Sequence, residues 1–375
     1  MTESDSQLGA PSGAADVASD AVAEVQLESS PQAKAQRAAA KAVSVVIPTM
    51  GKEARLRVSL PAVVREVEAR AMAADEILIV DDSGLERASG SVPEVLGSED
   101  GDRRAKVRIV SHTDNLGFGA AVAHGVKEAR NPLVMVLHDD VELGDGALDE
   151  LAKAFLDPGA VVPSPDAVFA TSPRVVHAEA GPDVAPETTG TLTLVDDRMT
   201  VFEGQPTREP ESGDASDGPR LASFLPSSAF MIMRQEFLDS GGFDELFAPF
   251  SWEDVDFSLS ARRRGRLLLE VPRACATHGL GSREGAATID AGDSLSPELA
   301  SRVLERNRLL LRWKHLTTRA DATEHLVSLW RNVLEAGLAG DRETLEEVCL
   351  AFEKLGDVTR SRAKVAGTAP FQAAL

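Results

Sequence analysis

Four short apolar runs dominate the first half of the chain, and they limit the folds open to it. They are Val43-Ser44-Val45-Val46-Ile47, Glu76-Ile77-Leu78-Ile79-Val80, Val107-Arg108-Ile109-Val110 and Leu133-Val134-Met135-Val136-Leu137. Each is β-branched or aliphatic almost throughout, which predicts strands buried on both faces rather than strands with one wet side. Between them lie helical patterns. Leu56, Leu60, Val63, Val64 and Val67 share one helix face within Leu56–Met72, and Gly119–Ala129 carries small residues on its packing face. Strands alternating with helices predict an α/β fold with a mainly parallel sheet. The first strand is expected to stop at Pro48.

Two of the runs end in paired acids, Asp81-Asp82 and His138-Asp139-Asp140. In open α/β sheets ligands bind in the crevice beyond the carboxyl ends of the strands, so these acids stand where a site belongs. Asp81-Asp82-Ser83-Gly84 also has ordinary turn chemistry. Adjacent carboxylates at the end of a buried strand repel each other, and a bound cation is a common reason for tolerating them. The competing reading of Asp139-Asp140 is a solvated turn, or a cap for a helix near Gly146 that Asp145 could equally supply. Further on, Trp252-Glu253-Asp254-Val255-Asp256 leads into a helix. Acids at a helix N-terminus are favourable without any chemistry, and Asp256 is read in that structural role. A ring beside carboxylates also suits a sugar, the ring stacking on its face while a carboxylate takes a hydroxyl proton. His278 follows, next to Gly279. Arg262-Arg263-Arg264 reads as a solvated helix face, and Trp313 and Trp330 as core.

The remaining chain divides by composition. Residues 1–41 are rich in Ala, Ser, Glu and Gln and read as a disordered tail. Residues 42–295 hold the α/β pattern, with an excursion at Gly181–Pro219 that includes one hairpin near Thr191–Phe202 and a mobile stretch at Gly204–Gly218. Residues 296–360 read as a helical C-terminal extension opened by the cap pair Ser296-Pro297, with further helices at Asp321–Ala336 and from Asp341 to Gly356. Residues 361–375 read as a frayed end.

Charge and cysteine content exclude several classes of function. A net charge of -21 over 375 residues repels phosphate backbones, which argues against nucleic-acid partners. It disfavours broad adhesion to anionic lipid but leaves room for local peripheral contact with a membrane. The two cysteines, Cys275 and Cys349, have no metal-ligand spacing. No apolar run approaches the roughly 20 residues of a membrane span, and the N-terminus lacks a secretory pattern. These features predict a cytosolic protein, with the inner face of a membrane as its other expected place.

Taken in order, the segments from Val43 to Glu284 resemble the family 2 glycosyltransferases. Val43–Thr49 looks like that family's opening strand, Ile79–Ser83 like its uracil-binding strand end, and Asn115-Leu116-Gly117-Phe118-Gly119-Ala120-Ala121 like its Asn-x-Gly-x-x-x-Ala segment. His138-Asp139-Asp140 resembles its Asp-x-Asp site, Phe230–Phe247 its acceptor-side segment, and Trp252-Glu253-Asp254 its Glu-Asp motif. The late His and Gly-x-Ser look most like the rhamnosyl- and galactofuranosyl-transferase branch. The resemblance implies a GT-A fold with a Rossmann-like, mainly parallel sheet, and an inverting transfer of sugar from a nucleotide-sugar donor to a glycan or lipid-linked acceptor. It implies a divalent metal, Mn or Mg, held by Asp140 and His278. Pro48, Thr49, Asp81 and Asp82 would frame the base with Asn115 and His138 nearby, and Asp139 would face the ribose. Asp254 would be the general base with Glu253 as the next candidate, and Trp252 would meet the acceptor. The sequence departs from the family at His138, Met50 and His124, and His138 could replace His278 as a ligand. Two rivals stand beside this reading. One is a catalytically inactive GT-A domain that binds nucleotide or scaffolds a complex. The other is a sugar nucleotidyltransferase, which would need a Gly-rich basic loop where Ile47–Lys52 has none.

Overall fold

The structure is a computed structural model that describes residues 31–32, 42–97, 106–159, 162, 164–177, 191–195, 198–202, 218–279, 296–316 and 318–365. The expected tail (apart from residues 31–32), most of the expected mobile stretch, Gly281-Ser282 and residues 366–375 lie outside the described residues.

The four apolar runs are strands β1 (Val43–Thr49), β2 (Glu76–Asp81), β3 (Val107–Ser111) and β4 (Leu133–Leu137). They lie parallel in the order β3-β2-β1-β4. The connecting helices are α1 (Glu53–Arg70), α2 (Ala88–Leu96) and α3 (Phe118–Glu128). Alternation along each strand explains why the runs are apolar throughout. Val45, Ile47, Ile79 and Met135 join one buried cluster under α1 and α2, while Val46, Val80 and Val136 join another under α3. Helix α3 lies very close to the sheet. A side chain at Gly125 would collide with Val46 and Val80, so the small residues do serve its packing face.

Beyond β4 the sheet becomes mixed. A short β5 (Val141–Leu143) is followed by α4 (Ala147–Ala154), β6 (Val168–His177), the hairpin β7 (Thr191–Val195) and β8 (Arg198–Phe202), and β9 (Arg220–Leu221). Then come β10 (Ala229–Met233), α5 (Arg234–Ser240), α6 (Glu253–Arg263) and β11 (Leu267–His278). The sheet continues β4-β10-β6-β11-β5, with β10 antiparallel to both neighbours and β11 parallel to β6. The hairpin forms as expected, with Thr191 opposite Phe202. Among the described residues four helices follow: α7 (Pro297–His315), α8 (Arg319–Ala339), α9 (Arg342–Glu353) and α10 (Leu355–Ala363). Ser296 caps α7 as expected, its hydroxyl accepting from the Leu299 N–H. Helices α7, α8, α9 and α10 share an apolar cluster with Leu246, Phe247, Val255 and Leu259 of the α/β part.

Several expectations are corrected. Strand β1 runs through Pro48, which pairs with Val80. Pairing with β4 ends at Val46, so past that residue β1 is an edge on one side, where the missing N–H is tolerated. Helix α2 was invisible to periodicity because Gly90 and Pro93 lower its propensity. Gly356 lies within α10 and does not end the preceding helix. Arg263 is buried and donates to His315 and to the Val365 carbonyl, so the arginine run is not a solvated face. Trp330 is 59% exposed and is not core, because α8 packs on α9 and leaves the side that carries Trp330 open.

Candidate active site

The carboxyl ends of β1, β2 and β4 meet as expected. Thr49 sits opposite Asp81 in the register, and its hydroxyl donates to Asp139 Oδ2 at 2.6 Å. Asp139 also accepts from Arg55 Nε at 2.6 Å, and the same guanidinium reaches Asp140 Oδ2 at 2.9 Å. Arg55 lies in the first turns of α1 and was not singled out from the sequence, because nothing in the local pattern says which acid an arginine 84 residues away will meet. Its position changes an argument. The repulsion between the adjacent carboxylates is relieved by a cation of the protein itself, so their adjacency alone does not require a metal. Helix α4 likewise needs neither acid as a cap. Its first N–H groups, on Gly146 and Leu148, donate to the buried carboxylate of Glu66.

What points to a metal is the cluster built around Asp140. The imidazoles of His138 and His278 and the Asp140 carboxylate offer donor atoms that all lie within 4.8 Å of one another. His278 Nε2 is 3.2 Å from Asp140 Oδ1. The far wall is brought there by backbone contact. The Gly279 N–H donates to the Asp140 carbonyl at 2.6 Å, and a Cβ on Gly279 would lie 2.7 Å from that oxygen. Only glycine fits. Both histidines weighed as ligands lie within reach of Asp140. A third, His177, stacks on His278 with ring centroids 5.5 Å apart. Burial opposes ionisation of Asp140, but the His278 hydrogen bond and the charges of Arg55 and the two histidines outweigh it and hold the carboxyl at about 2. Two imidazoles and one permanently ionised carboxylate form a donor set that suits a borderline divalent ion. The residues present fit such an ion.

The other acids at the strand ends are occupied by backbone. Asp81 accepts from the N–H groups of Ser83 and Ala88, tying down the turn into α2. Asp82 accepts from Leu116 and Gly117 and meets His112 Nδ1 at 2.7 Å, and His112 Nε2 in turn meets His124 Nδ1 at 2.6 Å. Asn115 accepts from the Gly117 N–H. Pro48 is buried within β1.

On the opposite wall, Ser251 and Trp252 both hold positive φ, 76° and 72°, immediately before α6. Such backbone is strained for residues with side chains. Asn307 of α7 holds it, its fully buried amide donating to the carbonyls of Phe247, Phe250 and Ser251. Trp252, expected to stack on an acceptor, donates its indole N–H to the Leu304 carbonyl and here ties α6 to α7. Asp254 accepts from the N–H groups of Ser227 and Val255 and keeps partial exposure. Dense surrounding protein raises its carboxyl to about 6, although those hydrogen bonds pull the other way. Burial, and then the Asp254 charge, push Glu253 to about 8. One Glu253 oxygen has no hydrogen-bond partner among the described residues. Asp256 is structural, as read, but through ion pairing. It contacts Lys314 Nζ at 2.7 Å and His315 Nε2 at 2.8 Å.

A sheet of this order, with acids and imidazoles gathered at the carboxyl ends of its strands, is a GT-A-like fold. Residues 44–222 match the model described as glycosyl transferase family 2. A solved structure of GalNAc-T7 with UDP, GalNAc and Mn2+ superposes with a TM-score of 0.60 at 16% identity, over 89% of this chain and 55% of that one. The chain thus spans about half the length of that protein. The mannosyltransferase PcManGT from Pyrobaculum calidifontis, in complex with GDP-Man and Mn2+, gives a TM-score of 0.46 at 13% identity, over 88% of this chain and 85% of that one. A comparison with curated protein sequences finds none that matches.

Proposed function

We propose that the chain transfers a sugar from a nucleotide-sugar donor to an acceptor hydroxyl, with inversion, and that it does so with a divalent ion at His138, Asp140 and His278. The observation that carries this reading is the convergence of His138 and Asp140, just past β4, with His278, the last residue of β11, in a chain whose residues 44–222 match the glycosyl transferase family 2 model. A divalent ion there would neutralise the departing diphosphate. Two imidazole donors favour manganese over magnesium, which prefers oxygen. Pro48, Thr49, Asp81, Asp82 and Asn115 frame the base, and Asp139, held by Thr49 and Arg55, faces the ribose. Asp254 takes the proton from the acceptor hydroxyl as that oxygen bonds to the anomeric carbon and the bond to the diphosphate breaks. Glu253, mostly protonated at neutral pH, is unsuited to be that base. One base and one metal suffice for a single displacement, so no covalent nucleophile is needed. By the resemblance of its late His-Gly segment, the enzyme stands nearest the rhamnosyl- and galactofuranosyl-transferases, with a glycan or lipid-linked acceptor. No described helix is long and apolar enough to cross a membrane.

The test is a melting-temperature screen of UDP, GDP and dTDP, each with manganese, with magnesium and with excess chelator. A ligand that binds only the folded state raises Tm, by about 2.7 kcal/mol of stability at a hundredfold excess over Kd. A manganese-dependent rise for one nucleotide, abolished by Asp140→Asn, is expected. No rise with any nucleotide would leave the inactive-scaffold alternative standing without a nucleotide role.

A further inference from the structure

Beside the candidate active site lies a cavity of about 510 Å³, within the size range of small-molecule pockets. Its walls come from α3 and from the loop 241–250. Gly119, Ala120 and Ala123 form one side, and Phe243, Phe247 and Pro249 the other. The small residues on α3 leave the room that the rings face. Leu116, 52% exposed, is an apolar side chain at the same cavity.

The polar groups of this cavity are few, and their state is informative. Asp244 lies in the wall, but its carboxylate is engaged by Lys314 Nζ at 2.8 Å and by the Ser361 hydroxyl. Glu245 is exposed. Glu253 is 5% exposed, lines the cavity, and has a carboxyl oxygen with no partner among the described residues. A buried polar atom left without a partner is costly unless something supplies one. Protonated at neutral pH by its burial, Glu253 adds a hydrogen-bond donor and acceptor but no charge. The cavity therefore combines the apolar side chains of Phe243, Phe247, Pro249 and Leu116 with an ion-paired carboxylate at Asp244, an exposed acid at Glu245 and a neutral hydrogen-bonding group at Glu253. It adjoins the metal cluster through stacked rings. Phe118 packs edge-on against His138 and stacks on Phe243 in the cavity wall.

We propose that this cavity seats the uncharged apolar portion of the acceptor, an alkyl or aryl aglycone, with an oxygen of the acceptor hydrogen-bonded to Glu253. This rests on the transferase reading, since Glu253, which lines the cavity, immediately precedes Asp254 in the chain, and the role of Asp254 is what makes the ligand an acceptor. It narrows the acceptor class from any glycan to an amphipathic glycoside. A purely polar oligosaccharide would leave the Phe243 and Phe247 rings and Leu116 against sugar hydroxyls, with little apolar surface buried.

Binding of methyl and n-hexyl β-D-glucopyranoside, below micellar concentration, tests this by calorimetry and ligand-observed NMR. The two share a sugar and differ by five methylenes, so a seated chain should tighten binding by at least about tenfold. Ala120→Phe, which fills the cavity from α3, should bring the hexyl glycoside back to the methyl value, while nucleotide binding with manganese stays within about twofold. If Ala120→Phe does not fold, Leu116→Asp, at an exposed position, should weaken hexyl binding alone. Equal binding of the two glycosides by the parent protein overturns the proposal, and so does a hexyl preference that survives the substitutions, which would put the chain elsewhere. Failure of the parent to bind any nucleotide would instead strike the transferase reading, and the glycoside comparison would still report on the cavity.

Discussion

At the scale of single residues, Asp254 offers the sharpest test. Its carboxyl is raised to about 6, so its basic form fills as pH rises through that value. Turnover with a competent donor and acceptor should climb with an acid limb near pH 6 and level off above it. Its contribution to stability has the opposite sign. The folded-state value lies above the ordinary 3.8, so that contribution is complete below pH 3.8 and is lost as pH rises through about 6. Asp254→Asn keeps the shape but cannot take a proton. It should lower turnover by roughly 10² to 10⁴ while nucleotide affinity stays near the parent's. Turnover within about threefold of the parent would remove Asp254 as the base. Arg55 is the second residue to probe. Arg55→Leu should leave Asp139 and Asp140 repelling each other and make Tm depend on manganese more steeply than in the parent.

At the scale of elements, α7 holds α6 in place. The Asn307 amide satisfies three carbonyls of the strained loop before Glu253. Asn307→Ala leaves buried carbonyls unpaired, at a cost of roughly 1–3 kcal/mol, and frees the turn that aims Asp254. Urea unfolding should show that loss of stability, and kcat should fall more than nucleotide affinity. Asp256 acts on the next turn. Burial works against the Lys314 charge, but Asp256 and Asp244 outweigh it and raise its pKa. Removing Asp256 strands that cation, so Asp256→Ala should cost about 3–5 kcal/mol with no acid limb altered in the remaining activity. An unchanged urea midpoint would mean that the α6–α7 ion pairs contribute nothing.

At the scale of the whole molecule, the C-terminal helices are part of the folding unit and not a separable appendage. Leu310, Leu311 and Trp313 of α7 share one buried cluster with Phe247, Val255 and Leu259. A chain ending at residue 295 would expose that cluster and lose the Asp256 partners. It should be insoluble, or show an early, broad melting transition. Removal of residues 1–40 should behave differently. Their composition cannot build a core, and β1 begins at Val43, so the shortened protein should keep its Tm and its nucleotide binding. A large drop in Tm would assign the tail a structural part.

The α/β architecture, the four parallel strands and the position of Asp81, Asp82, Asp139 and Asp140 at strand ends were all legible in the sequence. A strand buried on both faces must be apolar along its whole length, and the residue that follows it must lie at the sheet edge. These are local consequences of a two-residue repeat and need no knowledge of the partner strand. Long-range placement was not legible. Arg55 meeting Asp139, Asn307 gripping the loop before Glu253, Lys314 neutralising Asp256 and Trp330 left outside are all set by how helices pack. Their periodicity shows an apolar face but not the surface it will cover. The metal candidate lies between these cases. His138 and Asp140 are neighbours in sequence, but His278 reaches them only because β11 pairs with β5 and Gly279 lets its backbone touch Asp140. The sequence by itself determined which residues could serve as ligands. The tertiary structure decided which of them share one point in space, because strand pairing between distant segments depends on contacts that no local pattern encodes.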